Sequence, residues 1–418
     1  MRFARFSLLG FLLWCATGRL NAERLSPLAT ARDWRLLAAA ERALTPDEFF
    51  HLLETVYAPE HAADPWVQWD GVQVALQASG ADRCTVPLAA TAASVKIPPR
   101  YWRPLPTESA DARRPLAGVT VAIDPGHLGG VYARMEERWF QCDGAPPVQE
   151  GELTLRVAKV LQPLLEALGA HAVLVRSNAE PLTPLRPENL RDAAARLLEG
   201  SDPGHPPLPG YQGPNDPEKE HSIEWQAERL FYRVAEIRER AVRVNDVLRP
   251  DLVICLHFNA EPWGDPDHPE LVEANHLHLL VNGDYSPGEL AYDDVRFEMW
   301  QRLLGRTHEE ELAVAEAVAG ALARATGLPP YQYHSPNAVP VGTSGYVWAR
   351  NLLANRLYQC PVVYTECYVM NSRGFVERYQ AGEYDGLRWF AGAWHENLFR
   401  EYANGIADGL KNYCAGRR

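Results

Sequence analysis

Excess positive charge, long apolar runs and closely paired cysteines are all missing from most of this sequence, and each absence excludes a class of function. Acidic residues outnumber lysine and arginine by 54 to 41, giving a formal net charge of −13 at pH 7. Nucleic acid and anionic membrane surfaces are therefore not expected partners. After residue 22, no apolar run approaches the ~20 residues that span a bilayer. The seven cysteines include no C-x-x-C pair, so they are assigned no zinc or redox site.

The first 22 residues have the pattern of a secretory signal peptide. Arg2 and Arg5 form a positive start, residues 6–14 are apolar, and residues 20–22 offer a cleavage site with a small last residue. A lipoprotein signal at Cys15 ranks second, because tryptophan is too bulky for the position before it. We therefore expect a periplasmic or secreted protein. In that compartment, the six remaining cysteines could form disulfides, and Cys255, Cys360 and Cys367, in or beside apolar strands, are as readily buried thiols.

Residues 23–115 are predicted to form a small α+β accessory region that ends in a proline-rich linker. Thr45 and Glu48 make a capping box, which predicts a helix through about residue 57. Asp70-Gly71 is a turn signal between alternating apolar residues, which predicts a hairpin. Such a region serves either to target a substrate or to brace the next domain. We favour the brace, because no binding motif is recognisable in it.

Residues 116–418 are predicted to form an α/β domain with a mostly parallel sheet and helices on both faces, because strands and helices alternate. Residues 181–222 are rich in Pro, Gly, Asp and Glu, which indicates a long surface insertion. The predicted strands lie near 119–123, 171–176, 251–256, 275–281 and 361–365. The predicted helices lie near 150–165, 224–248, 292–304, 309–326 and 398–413.

Three of the predicted strands are followed, at once or within a few residues, by a histidine or a glutamate. Ligands of open α/β sheets bind beyond the carboxyl ends of the strands. We therefore expect these side chains to meet at one edge of the sheet, as in a metal-dependent hydrolase. The strands and the residues they lead into are 119–123 with His127, 251–256 with His257, and 361–365 with Glu366.

A catalytic zinc ion typically takes three histidine or carboxylate ligands and leaves its fourth position to water. His127 and His257 are two candidate ligands, since both follow strands at the same sheet edge. Glu150, at the start of the helix after the first strand, suits the third position. Taken alone, a glutamate at this position is more often an acid favoured by the helix macrodipole, and Glu152 is a rival ligand on spacing alone.

These residues fall within motifs that resemble those of the zinc-dependent N-acetylmuramoyl-L-alanine amidases, the amidase-3 family of cell-wall hydrolases. The similarity spans about residues 118–414, and the motifs follow the order of the family. Leu128, residues 367–371 and the long 181–222 insertion depart from the family pattern. The matching segments are Asp124-Pro125-Gly126-His127, Glu150 at the head of its helix, residues 240–245, 256–260 and 361–366, and the final helix at 401–406.

The resemblance implies an enzyme that binds Zn²⁺ through His127, Glu150 and His257 and uses Glu366 as its general base. The substrate would be peptidoglycan, cut at the amide between N-acetylmuramic acid and L-alanine. A zinc exopeptidase and a catalytically inactive wall-binding protein are the alternatives. The resemblance also suggests an autoinhibitory lid at residues 284–306, in which Glu298 would occupy the open zinc position. An activator protein would displace this lid. An ordinary helix packed on the sheet is the favoured interpretation of that segment.

Other polar residues are given structural roles. Arg240 is expected to pair on a helix surface rather than to hold an acidic group of the substrate, and Asp124 is expected to shape its turn or to orient His127. Of His276 and His278, which alternate with apolar neighbours, one is expected to face solvent and one the core. The segment 308–311 is expected to be a solvated helix start.

Overall fold

A computed structural model of the chain describes residues 24–78, 82–98, 111, 113–142, 144–201 and 204–415. The predicted signal peptide at residues 1–22 and most of the predicted linker lie outside these residues. Within the described ranges, no helix is both long enough and apolar enough to cross a membrane.

The strands form one large sheet and three small ones. In chain order they are β1 (Val67–Trp69), β2 (Gln73–Gln77), β3 (Arg83–Pro87), β4 (Thr120–Pro125), β5 (Trp139–Phe140), β6 (Val148–Gln149), β7 (His171–Leu174), β8 (Leu252–Asn259), β9 (Leu277–Val281), β10 (Val339–Pro340), β11 (Val347–Ala349), β12 (Val362–Val369), β13 (Arg388–Phe390) and β14 (Ala393–His395).

The α-helices match the predicted ones, with additions. They are α1 (Pro46–Leu52), α2 (Tyr132–Met135), α3 (Glu150–Ala167), α4 (Pro187–Ser201), α5 (Ile223–Arg229), α6 (Glu236–Val242), α7 (Pro287–Leu290), α8 (Asp293–Leu304), α9 (Thr307–Thr326), α10 (Leu353–Leu357), α11 (Arg373–Gln380) and α12 (Leu398–Ala415). Single π-helical stretches, Leu230–Ala235 and Arg243–Leu248, continue α5 and α6, so the predicted helix at 224–248 is confirmed.

The large sheet has seven strands in the order β10-β11-β9-β12-β8-β4-β7. Neighbours are parallel from β12 through β8 and β4 to β7, and β9 is parallel to β11. β9 runs antiparallel to β12, and β10 runs antiparallel to β11. The prediction of a mostly parallel α/β sheet is therefore confirmed.

Helices cover both faces of this sheet. Successive side chains of a strand point to opposite faces, so apolar neighbours in one strand belong to different clusters. In β8, Leu252 and Ile254 belong to one buried apolar cluster, while Val253 and Cys255 belong to another. The first cluster includes residues of α3, α9 and α12, and the second includes residues of α6 and α10. In the described chain, the buried Cys255, Cys360 and Cys367 form no disulfide bond.

The N-terminal region has the predicted elements and packs on α8. Thr45 and Glu48 form the capping box, and β1 pairs antiparallel with β2 across the predicted turn. The Phe49 ring stacks on Trp300 of α8 with 6.0 Å between centroids, and their apolar cluster continues into the large sheet. These contacts support a structural brace.

The lid interpretation of residues 284–306 is wrong for this structure. Eleven of the twelve residues of α8 are buried, so the helix lies inside the molecule rather than over a site. The Glu298 carboxylate pairs with Arg32 and, at 2.6 Å, with Arg356. Because two arginines hold it, Glu298 does not occupy a metal position.

Two polar segments are more ordered and more buried than expected. The 181–222 insertion contains α4, whose Leu190, Ala194 and Leu198 are buried. The predicted solvated start at 308–311 is wrong, because His308 and Glu311 are buried and Arg302 pairs with the Glu311 carboxylate. The charges of Arg302 and Glu311 can be buried because they pair with each other, whereas unpaired charged groups are rarely buried.

Candidate metal centre

The strands bring His127, His257 and Glu366 to one edge of the sheet, although not as their last residues. β4 ends at Pro125 and His127 lies two residues beyond it. β8 continues through His257 to Asn259, and β12 continues through Glu366 to Val369. Glu366 and His257 are register partners on neighbouring parallel strands. The expectation that both strands end at these residues is wrong, but the expected juxtaposition is confirmed.

Glu150, the first residue of α3, lies between the two histidines. Its Oε2 is 3.3 Å from Nε2 of His127, and its Oε1 is 3.2 Å from Nδ1 of His257. One ligand atom from each of the three residues lies within 4.8 Å of the other two. The rival Glu152 lies instead against Gly129, where a Cβ would come within 2.5 Å of its Oε1.

These donor atoms fit a zinc ion. Two imidazole nitrogens and a carboxylate oxygen form a common catalytic zinc set that leaves one position open. Glu150 is 1% exposed, and its Oε2 has no hydrogen-bond partner among the described residues. Burial alone would raise the pKa of Glu150, but His127, His257 and Arg138 lower it to about 2. An ionised, buried oxygen without a donor is suited to a cation.

Two glycines allow the chain segments around the triad to approach each other. A Cβ on Gly126 would lie 2.2 Å from Cε1 of His257, and a Cβ on Gly151 would lie 2.1 Å from the Leu128 carbonyl oxygen. Both distances are far inside van der Waals contact. Only glycine fits at position 126, because the ring of His257 occupies the space of a side chain there. Gly151 likewise lets the first turn of α3 pack against the backbone of Leu128 and Gly129.

His127 is fixed by neighbours that sequence reasoning missed. Its backbone is left-handed, with φ +56°. Glu136 Oε2 lies 3.1 Å from Nδ1 of His127 and accepts the Leu128 N–H at 3.0 Å. Arg176 donates to the His127 carbonyl at 2.8 Å. A carboxylate on the far ring nitrogen sets the tautomer and leaves Nε2 for a metal. Glu136 lies in an irregular segment whose sequence pattern gives no signal of this contact.

Asp124 and Arg240 belong to a buried ion-pair network, which corrects the orienting role expected of Asp124 and the surface position expected of Arg240 but agrees with Asp124 shaping its turn. Asp124 does not accept from the His127 ring; its Oδ1 lies 3.1 Å from Nη1 of Arg240. Arg240 is 4% exposed rather than on a helix surface, and its Nε lies 2.8 Å from Glu236. Burial lowers the pKa of Arg240, but the two carboxylates outweigh that and raise it. The network supports the turn, since Arg240 also donates to the Pro125 and His127 carbonyls.

Glu366 lines a cavity of about 180 Å³ together with the triad. Burial raises the pKa of its carboxyl to about 7, with Glu150 adding to the rise while His257, Arg138 and Arg350 oppose it. His278 lines the same cavity. His276 and His278 are 8% and 3% exposed, so the expectation that one of them faces solvent is wrong.

The chain was compared with known proteins. No model of a protein family matches it, and neither does any curated protein. Solved structures do match. The N-acetylmuramyl-L-alanine amidase Ami1 of Mycobacterium smegmatis is 17% identical, with 72% of this chain and 98% of that chain covered and a TM-score of 0.39.

Two further matches are amidases as well. The CwlD amidase of Clostridioides difficile, solved in complex with the GerS lipoprotein, is 11% identical over 72% of this chain and 100% of its own, with a TM-score of 0.39. The catalytic domain of the N-acetylmuramoyl-L-alanine amidase CwlV of Paenibacillus polymyxa is 15% identical over 71% and 97%, with a TM-score of 0.35. The matching structures thus include the kind of enzyme that the motifs resemble, at a similarity too low to bear on activity.

Proposed function

We propose that the protein is an exported, zinc-dependent N-acetylmuramoyl-L-alanine amidase. The observation that carries this proposal is the group of His127, Glu150 and His257, whose ligand atoms lie within 4.8 Å of one another in the cavity that Glu366 also lines. The substrate class comes from the ordered motifs that resemble those of the amidase-3 family. Export rests on the signal-peptide pattern of residues 1–22.

The proposed mechanism divides binding from proton transfer. His127, Glu150 and His257 hold the metal. Zinc, when bound, lowers the pKa of a coordinated water to ~7 and polarises the scissile carbonyl. Glu366 accepts the proton of the attacking water and passes it to the leaving nitrogen of L-alanine. The register pairing of Glu366 with His257 supports this role, because it places the two residues side by side on neighbouring strands, while Glu366 is not one of the three residues that could hold the metal.

Mass spectrometry of digested peptidoglycan tests the reaction. The zinc-loaded protein should release intact stem peptides that begin with L-alanine and leave the glycan strands whole. Free amino acids among the products would instead indicate an exopeptidase. A protein that binds zinc and peptidoglycan without releasing any product would be an inactive wall-binding protein, and the proposed activity would be wrong.

Two variants separate the roles of the residues. His127→Ala should lose both bound zinc and activity, because it removes a ligand. Glu366→Gln should keep its zinc, measured by atomic absorption, while its rate falls by ~10²–10⁴, the usual contribution of a positioned acid–base group. Stoichiometric zinc in His127→Ala would refute the ligand assignment. Loss of zinc from Glu366→Gln would make Glu366 a ligand rather than the base.

A further inference from the structure

One wall of the metal cavity is made of aromatic and basic side chains to which the proposed mechanism gives no role. His278, Tyr333 and Arg350 all line the cavity with the triad and Glu366. His278 is the register partner of Glu366 on the antiparallel neighbour of β12. Arg350 directly follows β11, and its backbone N–H donates to the Val281 carbonyl at 2.9 Å. The wall is therefore anchored to the sheet next to the proposed base.

The three side chains form a hydrogen-bonded chain with Tyr333 at its centre. The Tyr333 hydroxyl oxygen is 3.1 Å from Nε2 of His278 and 3.3 Å from Nη1 of Arg350. The Tyr333 ring also packs against His278 and Trp348, with centroid distances of 5.4 and 5.1 Å. Ring packing and two polar contacts together hold the hydroxyl in place.

The tautomer of His278 follows from its surroundings. Burial lowers the pKa of this histidine to about 3, so the ring is neutral and carries one N–H. Its Nδ1 is buried and has no hydrogen-bond partner in the described part of the chain. A buried N–H without an acceptor is rarer in proteins than an acceptor without a donor. The hydrogen therefore belongs on Nε2, where it is donated to the Tyr333 oxygen.

The Tyr333 hydroxyl is left with a hydrogen to donate. Its oxygen accepts from His278 and from Arg350, so its own O–H must point away from both. Burial raises the pKa of Tyr333 to about 12, so the hydroxyl stays protonated. Among the described residues, no carboxylate lies within ion-pair distance of Arg350, which leaves other guanidinium N–H groups available to the cavity.

We propose that Tyr333 and Arg350 are catalytic residues that donate hydrogen bonds to the scissile carbonyl oxygen, and that His278 is a positioning residue for Tyr333. This proposal rests on the proposed amidase function. When water adds to an amide carbonyl, the oxygen gains negative charge, and fixed donors aimed at it lower the barrier. A hydroxyl and a guanidinium held in one wall are donors of this kind.

Tyr333→Phe is the sharpest test, because it removes the hydroxyl and keeps the ring that packs on Trp348. Its kcat on peptidoglycan should fall by ~10²–10³, the usual effect of losing one such donor, with KM and bound zinc unchanged. Arg350→Met should show a fall of similar size. Tyr346→Phe is the matched control, since that hydroxyl donates to the Leu328 carbonyl at 3.1 Å, and it should keep wild-type kcat.

The role of His278 is tested by rescue. His278→Leu should lower kcat because it removes the donor to Tyr333, and His278→Gln, which keeps an N–H, should recover part of that loss at equal thermal stability. Equal kcat in the two variants would show that His278 only fills space.

A second readout separates this inference from the proposed function. A phosphinate analogue, in which P(O)O⁻ and CH₂ replace the carbonyl and the nitrogen of the lactyl–alanine amide, should bind the zinc-loaded wild type and bind ~10²-fold or more weakly to Tyr333→Phe and Arg350→Met. If the wild type leaves peptidoglycan intact, the amidase function fails, and weaker binding of the analogue by the variants would still support the donor pair. Wild-type kcat and analogue affinity in Tyr333→Phe, or no binding of the analogue by the wild type, would overturn the inference.

Discussion

At the scale of single residues, His127 has a backbone conformation that costs energy, and its neighbours compensate for it. A non-glycine residue with φ +56° is disfavoured by on the order of 1 kcal/mol. Arg176 and Arg240 both donate to its carbonyl oxygen, and Glu136 holds its ring. Backbone strain that is maintained at a cavity wall indicates that the orientation of the His127 ring is more important than an unstrained backbone at this residue.

The contact from Glu136 should therefore affect metal affinity. We expect Glu136→Ala to raise the Kd for zinc by ~10–100-fold, because the carboxylate fixes the His127 tautomer and makes the ring a better ligand. Glu136→Gln, which keeps an acceptor, should show a smaller rise. Competition with a chromogenic chelator measures these values.

Glu137→Ala is the control for this measurement, since the neighbouring carboxylate is exposed and pairs with Lys219. Its zinc affinity should equal that of the wild type. An unchanged affinity in Glu136→Ala would show that the 3.1 Å contact does not support the metal centre.

Sequence patterns predicted the three residues of the candidate metal centre but not the residues that hold them in place. His127 and His257 were identifiable because an apolar strand followed by a polar residue is a local signal. The partners of Asp124 and Glu298, in contrast, are Arg240 and Arg356, which lie 116 and 58 residues further along the chain. Local spacing carries no information about such pairs, so the sequence pattern places Arg240 on a helix surface although the side chain is buried.

At the scale of elements, α8 shows why an amphipathic pattern is a weak guide to exposure. Its apolar residues fit one helical face, and its charged residues suggest a solvated one. The N-terminal region covers that second face instead, with Arg32 pairing with Glu298 and the Trp34 indole donating to Asp293. A helix between two packed layers needs partners on all sides, and its charges here have them.

We expect Trp300→Ala in α8 to lower the free energy of unfolding by ~3–5 kcal/mol, because it leaves a large cavity at a fully buried position that stacks on Phe49. Urea denaturation followed by circular dichroism measures this change. For the same reason, deleting residues 286–305 should unfold the protein rather than activate it.

Trp389→Ala is the matched control for that measurement. Trp389 is 57% exposed on the β13–β14 hairpin, so its removal should change stability by no more than about 0.5 kcal/mol. A folded, zinc-loaded deletion variant with raised activity on peptidoglycan would restore the lid interpretation and contradict the packing argument.

Helix α4 is an element that the sequence could have revealed. Leu190, Ala194 and Leu198 recur every four residues, the spacing of one helical face. The proline, glycine and acidic residues around them dominate the composition of the segment, which leads to its interpretation as a surface insertion. In the structure, Leu190 and Ala194 pack in one apolar cluster with Leu230 and Phe231 of the helical segment 223–248.

At the scale of the whole molecule, one apolar core joins the N-terminal region to the sheet. Phe49 and Leu53 belong to the same buried cluster as Ile254 of β8 and Ile406 of α12. Two layers that share a core are expected to unfold together, since neither buries its apolar surface alone. The division of the chain into two domains near residue 115 therefore stays a prediction.

Buried histidines should make the stability of this core depend on pH. His308 is 5% exposed and lies near the Tyr57 ring, and burial, with Arg302 and His51, lowers its pKa from 6.5 to about 4. A lowered folded-state pKa means that the unfolded chain takes up the proton first as the pH falls. The stabilising effect of the neutral ring is complete above pH 6.5 and is lost as the pH falls through 4, by roughly 3 kcal/mol in total.

His308→Gln should remove this loss. Between pH 7 and pH 4, the unfolding free energy of the wild type should fall further than that of His308→Gln, by roughly 3 kcal/mol, in urea titrations at each pH. Release of zinc at low pH affects both proteins alike and cancels in the difference. His268→Gln, at an exposed position, should follow the wild type. Parallel curves for all three proteins would show that His308 takes up its proton as readily in the folded protein as in the unfolded chain, and that other groups cause the acid loss.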